Sequence, residues 1–93
     1  MTEQTTERGF TFPTTLEVSA MGASDAGLLH IVPDVLAGVG VDVIPGSLRQ
    51  RPSREGRYVS VTVAFQCPDR ETYDAVQREL RAQKAQGVLR IAL

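Results

Sequence analysis

Residues 51–67 read RPSREGRYVSVTVAFQC, and this stretch decides the fold because a tight turn leads into a strand of unbroken period-two alternation. Successive side chains of a strand point to opposite sides of its sheet, so one side here is apolar and the other polar. The pattern is typical of a β-hairpin whose sheet is buried on one side only. The predicted buried residues are Val59, Val61, Val63 and Phe65, and the predicted outward residues are Tyr58, Ser60, Thr62 and Gln66.

The chain before the hairpin predicts a strand, a helix and a second, irregular strand. Apolar and polar residues alternate over Thr15–Met21, which predicts a strand that ends at Gly22. A helix follows up to Val39 with a cap at Ser24 or Asp25, and Pro33 inside its apolar pattern predicts either a kink or a later start. Residues 42–51 form an edge strand with a bulge, because Pro45 and Gly46 interrupt its ladder. The residues predicted to face inward are Leu16, Val18 and Ala20 on the first strand and Val41, Val43 and Leu48 on the second.

The chain after the hairpin predicts a helix and a last strand. Asp69 caps the helix, and Gly87 ends it. The buried stripe of the helix is Tyr73, Val76 and Leu80, and the strand over residues 88–93 places Leu89, Ile91 and Leu93 inward and Arg90 outward.

The resulting order is strand, helix, strand, strand, helix, strand. Two right-handed crossovers of this order interleave into a four-stranded antiparallel sheet with both helices on one face, the α+β ferredoxin-like (βαββαβ) arrangement. We expect one such domain over residues 13–93, preceded by a flexible polar tail over residues 1–12.

Composition restricts the classes of function. With 93 residues and a formal net charge of -1, the chain fits one small domain and gives no global electrostatic reason to bind nucleic acid or an anionic membrane. One cysteine, Cys67, and one histidine, His30, supply neither a disulfide nor a metal-ligand spacing. We therefore expect no catalytic residue, no metal, no cofactor and no enzyme activity. The polar N-terminal residues and the lack of a long apolar run predict a cytoplasmic protein.

Several short motifs occur in a fixed order and spacing over residues 12–93. They are Phe12-Pro13-Thr14, Met21-Gly22, the hairpin motif Arg51-Pro52-Ser53 with Gly56, Tyr58, Ser60 and Val61, and Leu89-Arg90 with Leu93. In these the chain resembles the YbeD-like bacterial proteins, a domain of unknown function. The resemblance implies a ferredoxin-like fold related to ACT regulatory domains, with no established catalytic residues. It also implies a gene neighbourhood of lipoate attachment, and hence a regulatory role in lipoate metabolism as one hypothesis. The chain departs from the family at Pro33 and in its longer N-terminal segment.

A second likeness concerns a ligand. Residues 25–29, DAGLL, are similar to the Asp-x-Pro-Gly-Leu-Leu loop of ACT domains, although the proline is missing and the segment is one residue shorter. The likeness implies an amino-acid or other small carboxylate effector held by Ser24, Asp25 and Gly27. An ordinary helix start with a glycine in its first turn is the alternative explanation.

Arginines surround the hairpin and predict a contact surface. With Arg90 on the open sheet face, they form a positive strip for an acidic partner or a phosphate, or else they protect an edge strand from unwanted pairing. The outward positions Ser19, Ser60 and Thr62 carry no aromatic platform for stacking bases, so we expect no nucleic acid. The predicted partner surface comprises Arg49, Arg51, Arg54, Arg57, Tyr58 and Arg90.

Together these observations favour a small non-catalytic regulatory or adaptor domain. It would act by protein–protein contact, as a homodimer or against another protein. The competing hypotheses are the ACT-like sensor of a small carboxylate and the lipoate-related regulator.

Overall fold

The computed structural model of the protein describes residues 6–7 and 10–92. In chain order its elements are β1 Thr6–Glu7, β2 Phe10–Thr11, β3 Thr14–Ala23, α1 Leu28–Val39, β4 Asp42–Val43, β5 Arg49–Pro52, β6 Tyr58–Cys67, α2 Arg70–Arg81 and β7 Val88–Ala92. A short 3-10 helix, Ala82–Gln86, joins α2 to β7. The predicted tail, residues 1–12, lies largely outside the described residues.

The main sheet is antiparallel and is built on two long central strands. β3 pairs with β6 over ten residues, from Thr14 opposite Cys67 to Ala23 opposite Tyr58. β7 pairs with the other side of β3, and β4 and β5 both pair with the other side of β6. β4 and β5 together correspond to one interrupted strand of the predicted four-stranded sheet. The order is then the predicted ferredoxin-like one, with β3 and β6 at the centre and β7 and the interrupted strand at the edges. The separate pair of β1 and β2 precedes it.

Both helices cover the same face of the sheet, and the core lies between the two layers. The inward residues of β3 and β6 form one buried cluster with the apolar stripes of α1 and α2, so the predicted one-sided burial is confirmed. Val61, Val63 and Phe65 are all 0% exposed. The buried helical residues are Leu28, Val32, Val35 and Leu36 on α1 and Tyr73, Val76 and Leu80 on α2.

The start of α1 differs from the prediction. β3 continues through Gly22 to Ala23, and neither Ser24 nor Asp25 caps the helix. Gly27 is the capping residue, with a left-handed φ of 78° that favours glycine. The loop is held instead by backbone bonds, in which Ser24 N donates to Arg57 O at 2.9 Å and Ala26 N donates to Ala23 O at 3.0 Å. The helix therefore begins at Leu28, the first residue of its apolar pattern, and continues through Pro33.

The outer strand beside β6 is divided in two. Residues 44–47 form a turn in which Ser47 N donates to Ile44 O at 3.2 Å. The hydroxyl of Ser47 then accepts a hydrogen bond from Ala64 N at 3.0 Å, in place of a strand carbonyl. The predicted interruption at Pro45 and Gly46 is thus confirmed, but the inward orientation predicted for Leu48 is wrong, since this residue follows the turn and is 41% exposed.

The last strand contains a bulge. Met21 lies opposite Arg90, whereas Gly22 lies opposite Val88, so Leu89 is an extra residue with no partner position on β3. Val88 and Ile91 face the core, but Leu89 is 59% exposed, and its predicted inward orientation is wrong. Leu93 lies outside the described residues.

Gly22 allows the closest approach between β3 and the segment that leads into β7. A Cβ at this position would lie 2.1 Å from the backbone oxygen of Gly87 and 3.1 Å from Leu28 Cδ1. We expect Gly22→Ala to lower the free energy of unfolding by about 1–3 kcal/mol or more, because the backbone of Gly87 must move. Urea unfolding followed by circular dichroism measures the effect.

Gly38→Ala is the matched control for this substitution. Gly38 lies within α1, and a Cβ there would meet no atom within 4 Å. Alanine should raise the free energy of unfolding by up to about 1 kcal/mol, because it restricts the unfolded chain and favours the helix. Equal effects of the two substitutions would contradict the close approach at Gly22.

Asp69 caps α2, as predicted. Its carboxylate accepts a hydrogen bond from Thr72 N at 2.8 Å, and the bonds from Thr72 lower the pKa of Asp69 below its usual range. A lowered folded-state pKa means that the ionised carboxylate stabilises the folded protein above the unfolded-state pKa of about 3.9, and that this contribution is lost as pH falls through the folded-state value. Asp69→Asn keeps an acceptor at the cap and removes the titration. Between pH 5 and strongly acidic solution, the wild type should lose more stability in urea unfolding than this variant does; parallel losses would contradict the assignment.

Candidate functional site

The face of the sheet opposite the helices is the most distinctive exposed surface among the described residues. We call it the open face. Residues directly opposite each other on paired strands project to the same side, so the register assigns the outward side chains. They include Thr15, Glu17, Ser19 and Met21 of β3, Tyr58, Ser60, Thr62 and Gln66 of β6, Asp42 of β4, Arg49 and Arg51 of β5, and Arg90 of β7.

One cross-strand row of this face has an arginine at each end. Arg51 lies opposite Ser60, Ser60 lies opposite Met21, and Met21 lies opposite Arg90. Neighbouring strands are about 4.8 Å apart, so the Cα atoms of the two arginines are separated by about 14 Å. We call these four residues the arginine row.

The charges on the open face are unevenly distributed along the strands. Arg49 forms an ion pair with Glu17, with 3.1 Å between Nη2 and Oε2. Asp42, the other outward acid, lies opposite Gln66, at the end of β6 far from the hairpin. Within the described residues, Arg51 and Arg90 have no ion-pair partner. The hairpin half of the open face is therefore positive.

Two large side chains add apolar surface to this positive half. Tyr58 is 42% exposed and Met21 is 36% exposed. Tyr58 lies opposite Ala23, one outward position along from Ser60, so Tyr58 and Met21 are diagonal neighbours. Tyrosine, methionine and arginine are among the residue types enriched in protein interfaces.

A shallow depression of about 470 Å³ adjoins the arginine row. Its lining includes Ser19 and Thr62, whose hydroxyl oxygens are 2.8 Å apart and hydrogen-bonded to each other. These hydroxyls and the arginine side chains can donate to carboxylate oxygens. The residues that line the depression are Ser19, Arg49, Gln50, Arg51, Ser60 and Thr62.

The structure divides the predicted partner surface into two groups. Arg49, Arg51, Tyr58 and Arg90 lie on the open face, whereas Arg54 and Arg57 lie at the tip of the hairpin. The tip is ordered by Ser53, whose N–H donates to Tyr58 O at 2.8 Å and whose hydroxyl accepts from Tyr58 N at 3.1 Å. The tip is thus adjacent to the open face, and a continuous positive strip over both stays a prediction.

The predicted effector residues lie in the loop between β3 and α1. Ser24, Asp25 and Gly27 are all exposed there, and Gly27 O accepts the first helical bonds from His30 N and Ile31 N. This helix start differs from an ordinary capped helix in two ways: no side chain caps it, and its capping residue, Gly27, is left-handed. A small carboxylate effector at this loop stays a prediction.

Cys67 and His30 lie in different environments, one buried and the other exposed. Cys67 is 1% exposed, and its Sγ donates a hydrogen bond to Asp69 O at 3.3 Å. Burial raises the pKa of the Cys67 thiol, so the thiolate is disfavoured in the folded protein. His30 is exposed on α1.

The part of the chain that the structure describes contains neither a metal-binding cluster nor a membrane-spanning helix. Residues 6–7 and 10–92 contain no group of three His, Cys, Asp or Glu side chains placed to hold a metal ion. None of the helices in the same part of the chain has the length and apolar character needed to cross a membrane.

Comparison with known proteins places the chain in a family. Residues 7–88 match the family described as "Protein of unknown function (DUF493)". The chain belongs to this family. The predicted membership of the YbeD-like group is thereby confirmed, while the relation to ACT domains stays a prediction.

Curated bacterial proteins show the same relationship over most of their length. A UPF0250 protein of Xanthomonas oryzae pv. oryzae is 43% identical over 75 residues, which cover 81% of this chain and 82% of the relative. UPF0250 proteins of Stenotrophomonas maltophilia and Xylella fastidiosa are 40% and 41% identical over the same length and shares.

Sequence reasoning missed Met21 as part of the contact surface. The signal was present, because Met21 continues the outward positions of Thr15, Glu17 and Ser19 along β3. It also missed the exposure of Leu89. No local pattern indicates that exposure, since it arises from the bulge between β7 and β3.

The burial of Cys67 predicts low thiol reactivity. In the folded protein, modification by Ellman's reagent should proceed only as fast as the structure opens, and it should be complete and rapid in urea. Gln50→Cys in a Cys67→Ala background places the single thiol at an exposed position of β5 and is the control, which should react at once. Equally fast reaction of the native Cys67 would show that the thiol is accessible.

Proposed function

We propose that this protein is a small non-catalytic adaptor or regulatory domain that binds an acidic surface of another protein through its open face. The observation that carries the proposal is the arginine row, in which Arg51 and Arg90 flank exposed Met21 without an ion pair in the described structure. The paired strands fix the backbone positions of these residues, which reduces the backbone entropy lost on binding.

The row and the adjacent Tyr58 contain residue types that are enriched in protein interfaces. Tyrosine and arginine are enriched among the residues that supply most of the binding energy at such surfaces, and methionine is enriched there as well. Ser60 is the small residue at the middle of the row, and Tyr58 and Met21 provide the apolar contact area. Arg51 and Arg90 would each pair with a carboxylate and fix the orientation of the partner.

Charge favours a different protein over a second copy of this chain as the occupant of the open face. Glu17 already pairs with Arg49, so a second copy would offer Asp42 as the one outward carboxylate of its open face without a described partner. Two unpaired arginines on each copy would face too few acids, and like charges across an interface are costly. The homodimer predicted through the sheet and hairpin surfaces is the alternative occupant, and light scattering tests it.

Site-specific crosslinking in the native bacterial cell tests the proposal. A photoreactive phenylalanine derivative at Tyr58 should give a defined crosslinked product, because Tyr58 lies beside the arginine row. The same group at Leu29, which is exposed on α1 behind the sheet, is the positional control and should not give that product. Mass spectrometry of the product identifies the partner.

Charge reversal within the row should then weaken binding of the purified partner. We expect Arg51→Glu to raise the dissociation constant by about tenfold or more, equivalent to about 1.4 kcal/mol. Arg78→Glu makes the same change of charge on α2 and should alter it by less than about twofold. Calorimetric titration at low and high salt measures both. Equal effects of the two variants, or identical products from the two crosslinking positions, would show that the partner does not bind through the open face.

A further inference from the structure

The two edges of the main sheet differ in their protection against strand pairing. On one edge, the turn at residues 44–47 breaks the outer strand, and β5 consists of exposed polar residues that end at Pro52. Short, charged, proline-containing edges are the usual protection against addition of a further strand. The opposite edge is β7, which has neither proline nor glycine between Val88 and Ala92.

The outer side of β7 is available for hydrogen bonding. β7 pairs with β3 on one side and, in the described residues, with no strand on the other. A strand at a sheet edge presents a row of backbone N–H and C=O groups that can pair with an extended peptide. The bulge at Leu89 does not end the strand, which resumes its register at Arg90 and continues to Ala92.

A groove of about 310 Å³ lies beside this edge. One part of its wall is apolar, and Leu89, at 59% exposed, is the most exposed large apolar residue in the described chain. The remainder is cationic, and no acidic side chain contributes to the lining. The lining residues are Arg81, Lys84, Val88, Leu89, Arg90 and Ile91.

The cations of the groove have no carboxylate partner among the residues that the structure describes. Arg81 Nη2 donates a hydrogen bond to Gln77 Oε1 at 3.0 Å, which orients the guanidinium group but leaves its charge uncompensated. Lys84 follows α2 and is exposed. An apolar edge strand beside uncompensated cations is complementary to an extended segment that carries acidic and apolar side chains in alternation.

We propose that β7 binds an extended acidic segment of another protein as an added strand of the sheet. Backbone hydrogen bonds to β7 would supply much of the affinity, apolar side chains of the segment would contact Leu89, and its carboxylates would pair with Arg81 and Lys84. This surface lies at the sheet edge and shares only Arg90 with the open face, so the inference goes beyond the function proposed above.

A second copy of the chain is a poorer occupant of the same edge. Pairing two β7 strands would bring the Arg81, Lys84 and Arg90 side chains of each copy towards those of the other, without acids in the groove to compensate them. An acidic segment gains attraction from the same three cations. Charge complementarity thus selects a foreign strand.

A pair of synthetic peptides tests the inference on the full chain. The probe is a fluorescein-labelled heptapeptide that alternates valine and glutamate and is blocked at both ends, and the matched peptide has lysine in place of glutamate. Fluorescence anisotropy should show the glutamate peptide binding at least about tenfold tighter than the lysine peptide. Amide resonances of residues 88–92 should shift, and their hydrogen exchange should slow, as a new strand protects them.

Substitutions locate the binding site and separate it from the open face. Leu89→Asp and the double variant Arg81→Glu, Lys84→Glu should each weaken binding of the glutamate peptide by about tenfold or more. Arg78→Glu, on α2 outside the groove, and Arg51→Glu, on the open face, should leave it within about twofold. Circular dichroism of each variant verifies that it is folded. Loss of binding in Arg51→Glu alone would show that the peptide binds to the open face. This result would overturn the inference while leaving the proposed function intact.

Other outcomes also decide against the inference. Equal affinity for the two peptides, unchanged affinity in the groove variants, or no binding at millimolar peptide would each overturn it. Light scattering that shows a dimer abolished by Leu89→Asp would show that a second copy occupies the edge, and it would likewise overturn the assignment of a foreign strand.

Discussion

The pairing of β3 with β6 is the interaction on which the remaining structure depends. These two strands are hydrogen-bonded over ten residues, and each contributes an unbroken row of apolar side chains to the same face. A shift of the pairing by one residue would turn every one of those side chains towards water, so the register is strongly fixed. Each fully buried valine or phenylalanine contributes about 1.5–3 kcal/mol, and both helices pack against this surface.

The same pairing determines the opposite face of the sheet. When the inward row is fixed, Ser19, Met21, Ser60 and Thr62 point outward. The antiparallel pairing of the outer strands then places Arg51 opposite Ser60 and Arg90 opposite Met21. The spacing of the arginine row therefore follows from backbone hydrogen bonds and not from the arginine side chains themselves. A surface built in this way suits recognition, because the backbone positions of its charged residues are set by the strands.

Most of the fold could be predicted from periodicity, because burial on one side imposes a local pattern on each long element. The alternation in Tyr58–Cys67, the cap at Asp69 and the stripe of Tyr73, Val76 and Leu80 all correspond to the structure. The errors lie where a distant contact decides the local geometry. Leu89 is displaced by a bulge against β3, and the loop before α1 is held by a bond from Ser24 to Arg57, on the hairpin. For the candidate site, four of the six predicted partner residues lie on the open face, while Met21 and the groove at β7 required the strand register.

The divided outer strand has a consequence for how the sheet would accommodate an insertion. β4 and β5 are joined to β6 by separate sets of hydrogen bonds, and Ser47 anchors the end of the intervening turn through Ala64 N. Extra residues inserted at Pro45 or Gly46 would loop out into solvent without displacing Arg49 or Arg51 from their places opposite Thr62 and Ser60. An insertion at this corner would therefore lengthen the chain without changing the arginine geometry.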